Sequence, residues 1–244
     1  MTLRVAMWSG PRNISTAMMR AFENRADTAV VDEPFYAAYL HSTGADHPAR
    51  DAVIRSQPTD WRDVAAALCS ESPAPIWYQK HMTQHILADM DLGFTEQLQN
   101  CFLIREPRRI IASYARIRPQ FPLEELGFPQ QERLFARECE RLGTVPPVLD
   151  SALTLADPPA VLGELCARLG IPFDNAMLAW PAGPRDSDGV WAPHWYASVW
   201  QSTGFAAPAA EASAPQLSAE QEDLCAQAER IYAGMRAHAL TGSH

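Results

Sequence analysis

The chain has 244 residues, with 20 Lys or Arg against 29 Asp or Glu and a formal net charge of -9. That length fits one large domain, and 47% hydrophobic with 20% charged residues excludes a disordered, collagen-like or coiled-coil chain. The acidic total argues against broad nucleic-acid binding, which needs a basic footprint, but not against a small anionic ligand, which senses local charge.

The charge is uneven. Residues 1–120 carry 13 basic and 13 acidic residues, so the -9 comes from residues 121–244. Nineteen of the basic residues are Arg; the one Lys is Lys80. The five cysteines, at 69, 101, 139, 166 and 225, form no Cys-x-x-Cys pair. With an odd count and no signal-like opening segment, they read as reduced thiols of a cytoplasmic protein. No apolar run approaches the roughly 20 residues of a membrane span.

In chain order, Leu3 to Trp8 predicts a buried strand, stopped by Ser9-Gly10-Pro11. Apolar residues at 14, 17, 18, 21 and 22 predict a helix over 14–25. Thr28 to Val31 predicts a second strand ending at Asp32-Glu33-Pro34, with a helix following through Leu40. Residues 41–60 are polar, with Gly44, Pro48 and Pro58, and predict a long loop with room for a helical turn. Asp60 can cap a helix over 61–70. Strands are expected at Ile76 to Lys80 and Asn100 to Ile104, with helices at Thr83 to Met90 and Pro107 to Ile117.

Gln130 to Leu142 predicts a helix, Val148-Leu149 a fifth strand, and Pro158 to Leu169 a helix closed by Gly170. Residues 181–216 predict an irregular loop region whose Ala/Pro-rich end, 206–216, suits a connector. Ser218 and Gln221 form a capping-box pair for a C-terminal helix over 218–240. The whole reads as a single domain, 1–244, of the α/β class: a three-layer sandwich with a mostly parallel central sheet.

Ser9-Gly10-Pro11-Arg12-Asn13-Ile14-Ser15-Thr16 lies between a strand and a helix. Such a turn points backbone N–H groups and the helix dipole at an anion, and Arg12, Ser15 and Thr16 add donors. An ordinary turn, with Ser and Thr satisfying backbone donors, is the plain alternative. The Walker A pattern is absent, because the second Gly and the Lys would fall at Ser15 and Thr16.

This loop resembles the 5′-phosphosulfate loop of P-loop sulfotransferases that use 3′-phosphoadenosine 5′-phosphosulfate. Their common form is Pro-Lys-Ser-Gly-Thr-Thr, and Pro11, Arg12, Ser15 and Thr16 take its Pro, Lys, Thr and Thr places. Asn13 and Ile14 replace Ser and Gly. Arg105, Pro107 and Ser113 match the family's 3′-phosphate motif in type and spacing: an Arg ending a strand, a Pro two residues on and a Ser eight residues on. A guanidinium can grip phosphate with two parallel hydrogen bonds. The resemblance covers roughly residues 3–200 and implies a P-loop nucleotide-binding sandwich.

The resemblance also implies an activity, sulfuryl transfer to a small-molecule hydroxyl or amine, with no metal. Gly10, Pro11, Arg12, Asn13, Ile14, Ser15, Thr16, Arg105 and Ser113 are then the donor-binding residues. His81, after the third strand, matches the family's catalytic base, with Lys80 and Arg12 stabilising the leaving oxygen. His85 and the strand-end Glu33 are rival bases. Two other functions stay open: a P-loop kinase, since Ala29 to Glu33 resembles a Walker B strand, and a nucleotide binder without turnover. Residues 34–75 and 180–205 are expected to shape the acceptor pocket; the aromatics of loop 183–196 suit that pocket, the adenine site, or plain packing of the loop on the core. Neither nucleic acid nor membrane is an expected partner; the sequence says nothing of the acceptor's identity or of oligomeric state.

Overall fold

A computed structural model describes residues 2–206 and 214–242. Five parallel strands form one sheet in the order β2-β3-β1-β4-β5. The chain runs β1 (Leu3–Ser9), α1 (Ser15–Glu23), β2 (Thr28–Asp32), α2 (Tyr36–Thr43), α3 (Arg50–Ser56) and α4 (Trp61–Cys69). It continues through β3 (Ile76–Met82), β4 (Gln99–Ile104), α5 (Pro107–Ala115), α6 (Phe128–Leu142) and β5 (Val148–Asp150). Two helices follow directly, α7 (Ser151–Ala156) and α8 (Pro158–Leu169). Two one-turn helices, α9 (Ala192–Trp195) and α10 (Ala197–Trp200), precede the long α11 (Ala219–Arg236).

Period-2 alternation gives the sheet two apolar faces, each with its own core. Val5, Met7, Tyr78, Cys101 and Leu103 pack under α1 and α8, against Met18, Phe22 and Leu162. Ala6, Trp8, Phe102 and Ile104 pack on the other face against Val64, Leu134 and Met235 of α4, α6 and α11. This is the expected three-layer sandwich, with every strand parallel.

The elements differ from expectation in four places. The loop over 41–60 contains α3, whose Val53 is buried. The helix expected over 83–90 is only a 3-10 turn, Thr83–His85. The third strand runs two residues further, through His81 and Met82. Within the irregular 181–216 region stand α9 and α10; residues 207–213 of the expected connector lie outside the described residues. The expected caps form: the Asp60 carboxylate accepts from Arg62 N, and Ser218 with Gln221 closes a capping box.

Sheet order fixes where a ligand can sit. The connection from β1 leads to one side of the sheet and that from β4 to the other, so a crevice opens beyond their carboxyl ends. Gln131 of α6 braces this point, its side-chain amide donating to the carbonyls of Trp8 and Leu103. Gly10 is needed there: a Cβ on it would stand 2.6 Å from the Leu126 carbonyl oxygen.

Candidate active site

A cavity of about 600 Å³ opens at the switch point, in the range of small-molecule sites. The turn 11–16, Arg105, Glu33 and Lys80 all line it, joined by residues from 195–206. Gly10 does not line it; its role is the close approach to Leu126.

One end of the cavity is built for an anion. Arg12 takes φ 57°, a left-handed conformation that costs a side-chain-bearing residue about 1–2 kcal/mol. Its carbonyl accepts from Arg105 Nη1 at 2.5 Å, and its own Nε donates to Ser113 Oγ at 3.0 Å. Ser113 is thereby joined to the loop, although it does not itself line the cavity. Asn13 locks the turn, accepting from Ile14 N at 2.8 Å and donating to the Leu103 carbonyl.

Among the described residues no carboxylate pairs with Arg12 or Arg105. Desolvation, then the charge of Arg116, lowers the pKa of Arg12. Desolvation, then Arg109 and Arg12, lowers that of Arg105. Partly buried positive charge without a counter-charge is costly, and an anionic ligand relieves it.

The other end is a buried charge cluster. Lys80 Nζ donates to Asp32 Oδ1 at 2.8 Å, to Glu33 Oε1 at 2.6 Å and to the Tyr196 hydroxyl at 2.8 Å. The Tyr196 hydroxyl lies 2.7 Å from Asp32 Oδ2 and accepts from Trp191 Nε1. Asp32 also accepts from the Gly189 amide. One ammonium therefore faces two carboxylates. Burial alone would lower the Lys80 pKa, but Asp32 and Glu33 outweigh it and hold the ammonium protonated. The excess negative charge falls on Glu33, whose pKa is raised by desolvation and by Asp32 against the pull of Lys80.

Glu33 has three marks of a working group. It lines the cavity and sits at φ 42°, a strained position of the kind that gathers at functional sites. The hydrogen bonds to its carboxylate all fall on Oε1, and the other carboxylate oxygen has no protein partner among the described residues.

His81 is elsewhere. Because β3 continues through it, alternation sends Lys80 and His81 to opposite faces of the sheet. His81 is 1% exposed, stacks on Trp8 at 4.2 Å and bonds Gln79 Oε1 at 3.1 Å. It does not line the cavity, and burial, then Lys80, pushes its pKa down to about 3. The expectation of His81 as base is corrected by this placement: an imidazole on the far face cannot reach a ligand. Lys80 is corrected from a charge stabiliser to a positioning residue, since its ammonium protons go to Asp32, Glu33 and Tyr196. His85 does line the cavity, stacked on Tyr36 and Tyr39, with its pKa pushed well below the ordinary value by burial and then by His47 and Lys80.

Tyr196, Trp191 and His47 were not singled out as site residues. Tyr196 lies 164 residues from its partner Asp32, a separation no local pattern reports.

Switch-point crevice, arginine-held turn and strand-end carboxylate meet in one cavity. The family profile described as "Sulfotransferase domain" matches residues 3–239. The chain belongs to that family. It is also 39% identical over 202 residues to "Branched-chain-amino-acid aminotransferase-like protein 1" of Arabidopsis thaliana, and 37% identical over 203 residues to protein 2 of that name. Each match covers 82% of this chain but 36% of the relative, so the chain spans about a third of their length.

Solved sulfotransferases share the fold. The domain from the curacin biosynthetic pathway aligns with TM-score 0.52 at 14% identity, over 94% of this chain and 98% of that one. The domain of the Synechococcus PCC 7002 olefin synthase gives 0.52 at 18%, over 93% and 94%. The sulfotransferase of Alicyclobacillus acidocaldarius gives 0.52 at 10%, over 97% and 96%. No helix among the described residues is long and apolar enough to cross a membrane.

Proposed function

We propose that the chain moves a sulfuryl group from 3′-phosphoadenosine 5′-phosphosulfate to a hydroxyl or amine of a small molecule, with Glu33 as general base. The observation that carries this is the polarity of one cavity: unpaired Arg12 and Arg105 at one end, and a half-anchored carboxylate at the other. When bound, the donor supplies the sulfuryl group and leaves as adenosine 3′,5′-bisphosphate. Turn 11–16 and the Ser15 and Thr16 hydroxyls hold its 5′ end, and Arg105 holds its 3′-phosphate, while Ser113, outside the cavity lining, steadies the loop by accepting from Arg12. Arg12 offsets negative charge at the leaving oxygen. Glu33 takes the acceptor's proton on the oxygen that Lys80 leaves free, and the raised pKa makes that carboxylate a stronger base.

The kinase reading loses its support, because Asp32 is committed to Lys80, Tyr196 and Gly189 and does not present a Walker B carboxylate. The five cysteines are free thiols, in keeping with a reducing, cytoplasmic setting.

The test is a thermal-shift ranking of adenosine 3′,5′-bisphosphate against ATP with magnesium. Stabilisation by the bisphosphate is expected; preference for ATP would sink the reading.

A further inference from the structure

We propose that the cavity beside Glu33 takes a neutral acceptor bearing several hydroxyl groups, such as a polyol or sugar, recognised through His47, Gln84 and His85. The inference rests on the sulfotransferase reading and extends it to the class of acceptor.

Three cavity-lining residues each keep one buried polar atom without a partner among the described residues: His47 Nε2, Gln84 Oε1 and His85 Nδ1. The residues are 8%, 7% and 2% exposed. A buried polar atom left unpaired costs about 1–3 kcal/mol, so three around one cavity mark a place where a ligand supplies the partners.

Tyr36 ties the two histidines to the strand end that bears the base. Its amide donates to the Glu33 carbonyl at 3.0 Å. Its hydroxyl bonds His47 Nδ1 at 2.8 Å, and its ring stacks on His85 at 4.5 Å. Gln84 lines the same cavity as both histidines and Glu33.

Their chemistry selects the partner. Burial and then Arg118 push the His47 pKa down to about 4, and His85 is shifted the same way, so both imidazoles are neutral near pH 7. A neutral imidazole nitrogen offers either an N–H or a lone pair, while the Gln84 carbonyl oxygen needs a donor. A hydroxyl donates and accepts, and satisfies all three. A carboxylate cannot donate to Gln84 and would be repelled by Glu33.

Among the described residues no free cation waits at this end to attract an anion: Lys80 is spent on two carboxylates, and Arg118 on Glu125 and the Asp46 carbonyl. The walls are aromatic, from Tyr36, Tyr114 and Trp195, and give a ring-shaped acceptor flat apolar faces to lie against.

The test offers the intact protein and the phosphosulfate donor a matched panel: a cyclitol and a methyl glycoside, cyclohexanol, a phenol, and a sugar acid. Polyol transfer is expected to exceed cyclohexanol transfer by at least about tenfold in kcat/KM, the scale of one neutral hydrogen bond. His85→Phe keeps the ring stack, and Gln84→Met keeps the bulk; each should raise the polyol KM by about tenfold while bisphosphate affinity and Tm hold. Preference for the simple alcohol, the phenol or the sugar acid overturns the proposal. So does absence of polyol transfer in a protein that binds the bisphosphate, or an unchanged KM in both variants. Failure of the unaltered protein to bind the bisphosphate brings down the sulfotransferase reading, and this inference with it.

Discussion

At Glu33 one oxygen is given to Lys80 and the other left to the cavity, which separates anchoring from proton transfer. Glu33→Gln keeps the shape and removes the basicity, so transfer should fall by about 10²–10⁴-fold with bisphosphate affinity retained. The pH profile has a definite sign. Desolvation raises the Glu33 pKa, and the base works only when ionised, so transfer should rise with pH along a limb displaced above the ordinary carboxylate range. A limb at the ordinary value would remove Glu33 as the titrating group. His81 gives the opposite test. Its pKa falls from 6.5 to about 3 on folding, so in that window the unfolded chain binds a proton that the folded protein refuses. Stability therefore drops as the solution is acidified. His81→Phe should preserve transfer and shift acid unfolding to lower pH; loss of transfer would return His81 to the site. Arg105→Ala should weaken bisphosphate binding by about 1.5–3 kcal/mol in a calorimetric titration. At this scale the candidate anion-binding residues stood out because motif spacing is local, and all of them but Gly10 and Ser113 line one cavity. Among the three candidate bases, His81, His85 and Glu33, the placement of His81 turned on where one strand ends.

Among the elements, β3 carries that lesson. Ile76 to Lys80 was recognisable as a strand, but ending it at Lys80 made Lys80-His81 look like one site. Two more residues of pairing, Trp8 with His81 and Ser9 with Met82, put the neighbours on opposite faces. The helix α3 was hidden because seven residues with one buried side chain carry almost no periodic signal. The segment before α11 was expected to shape the pocket, yet what holds it was not visible. Arg20, 1% exposed, pairs with Asp188, which also accepts from Trp200 Nε1 and the Arg185 amide. Asp188→Ala leaves Arg20 with Glu23 alone, and should cost about 3 kcal/mol in denaturant unfolding while opening 181–206 to proteolysis. Unchanged stability and cleavage would show that this ion pair is not what fastens the segment.

For the whole molecule, the -9 total and the arginine-bearing cavity coexist because charge acts over roughly a Debye length, about 10 Å at 0.1 M salt. Bisphosphate affinity should accordingly weaken with ionic strength in spite of the acidic surface; salt-independent binding would count against Arg12 and Arg105. The class of fold was legible because alternating strands and helices leave few ways to cover a parallel sheet. The charge cluster was not, because its members come from β2, β3 and the segment before α11, and only folding brings them together. That long reach has a consequence for the chain as it is made. Lys80 and Asp32 leave the ribosome more than a hundred residues before Tyr196, whose hydroxyl touches both. Until residue 196 has emerged, the lysine and its two carboxylates remain open to water. The cluster's hydroxyl is thus supplied only after more than a hundred further residues, and a chain cut short before Tyr196 would leave Lys80 with its two carboxylates alone.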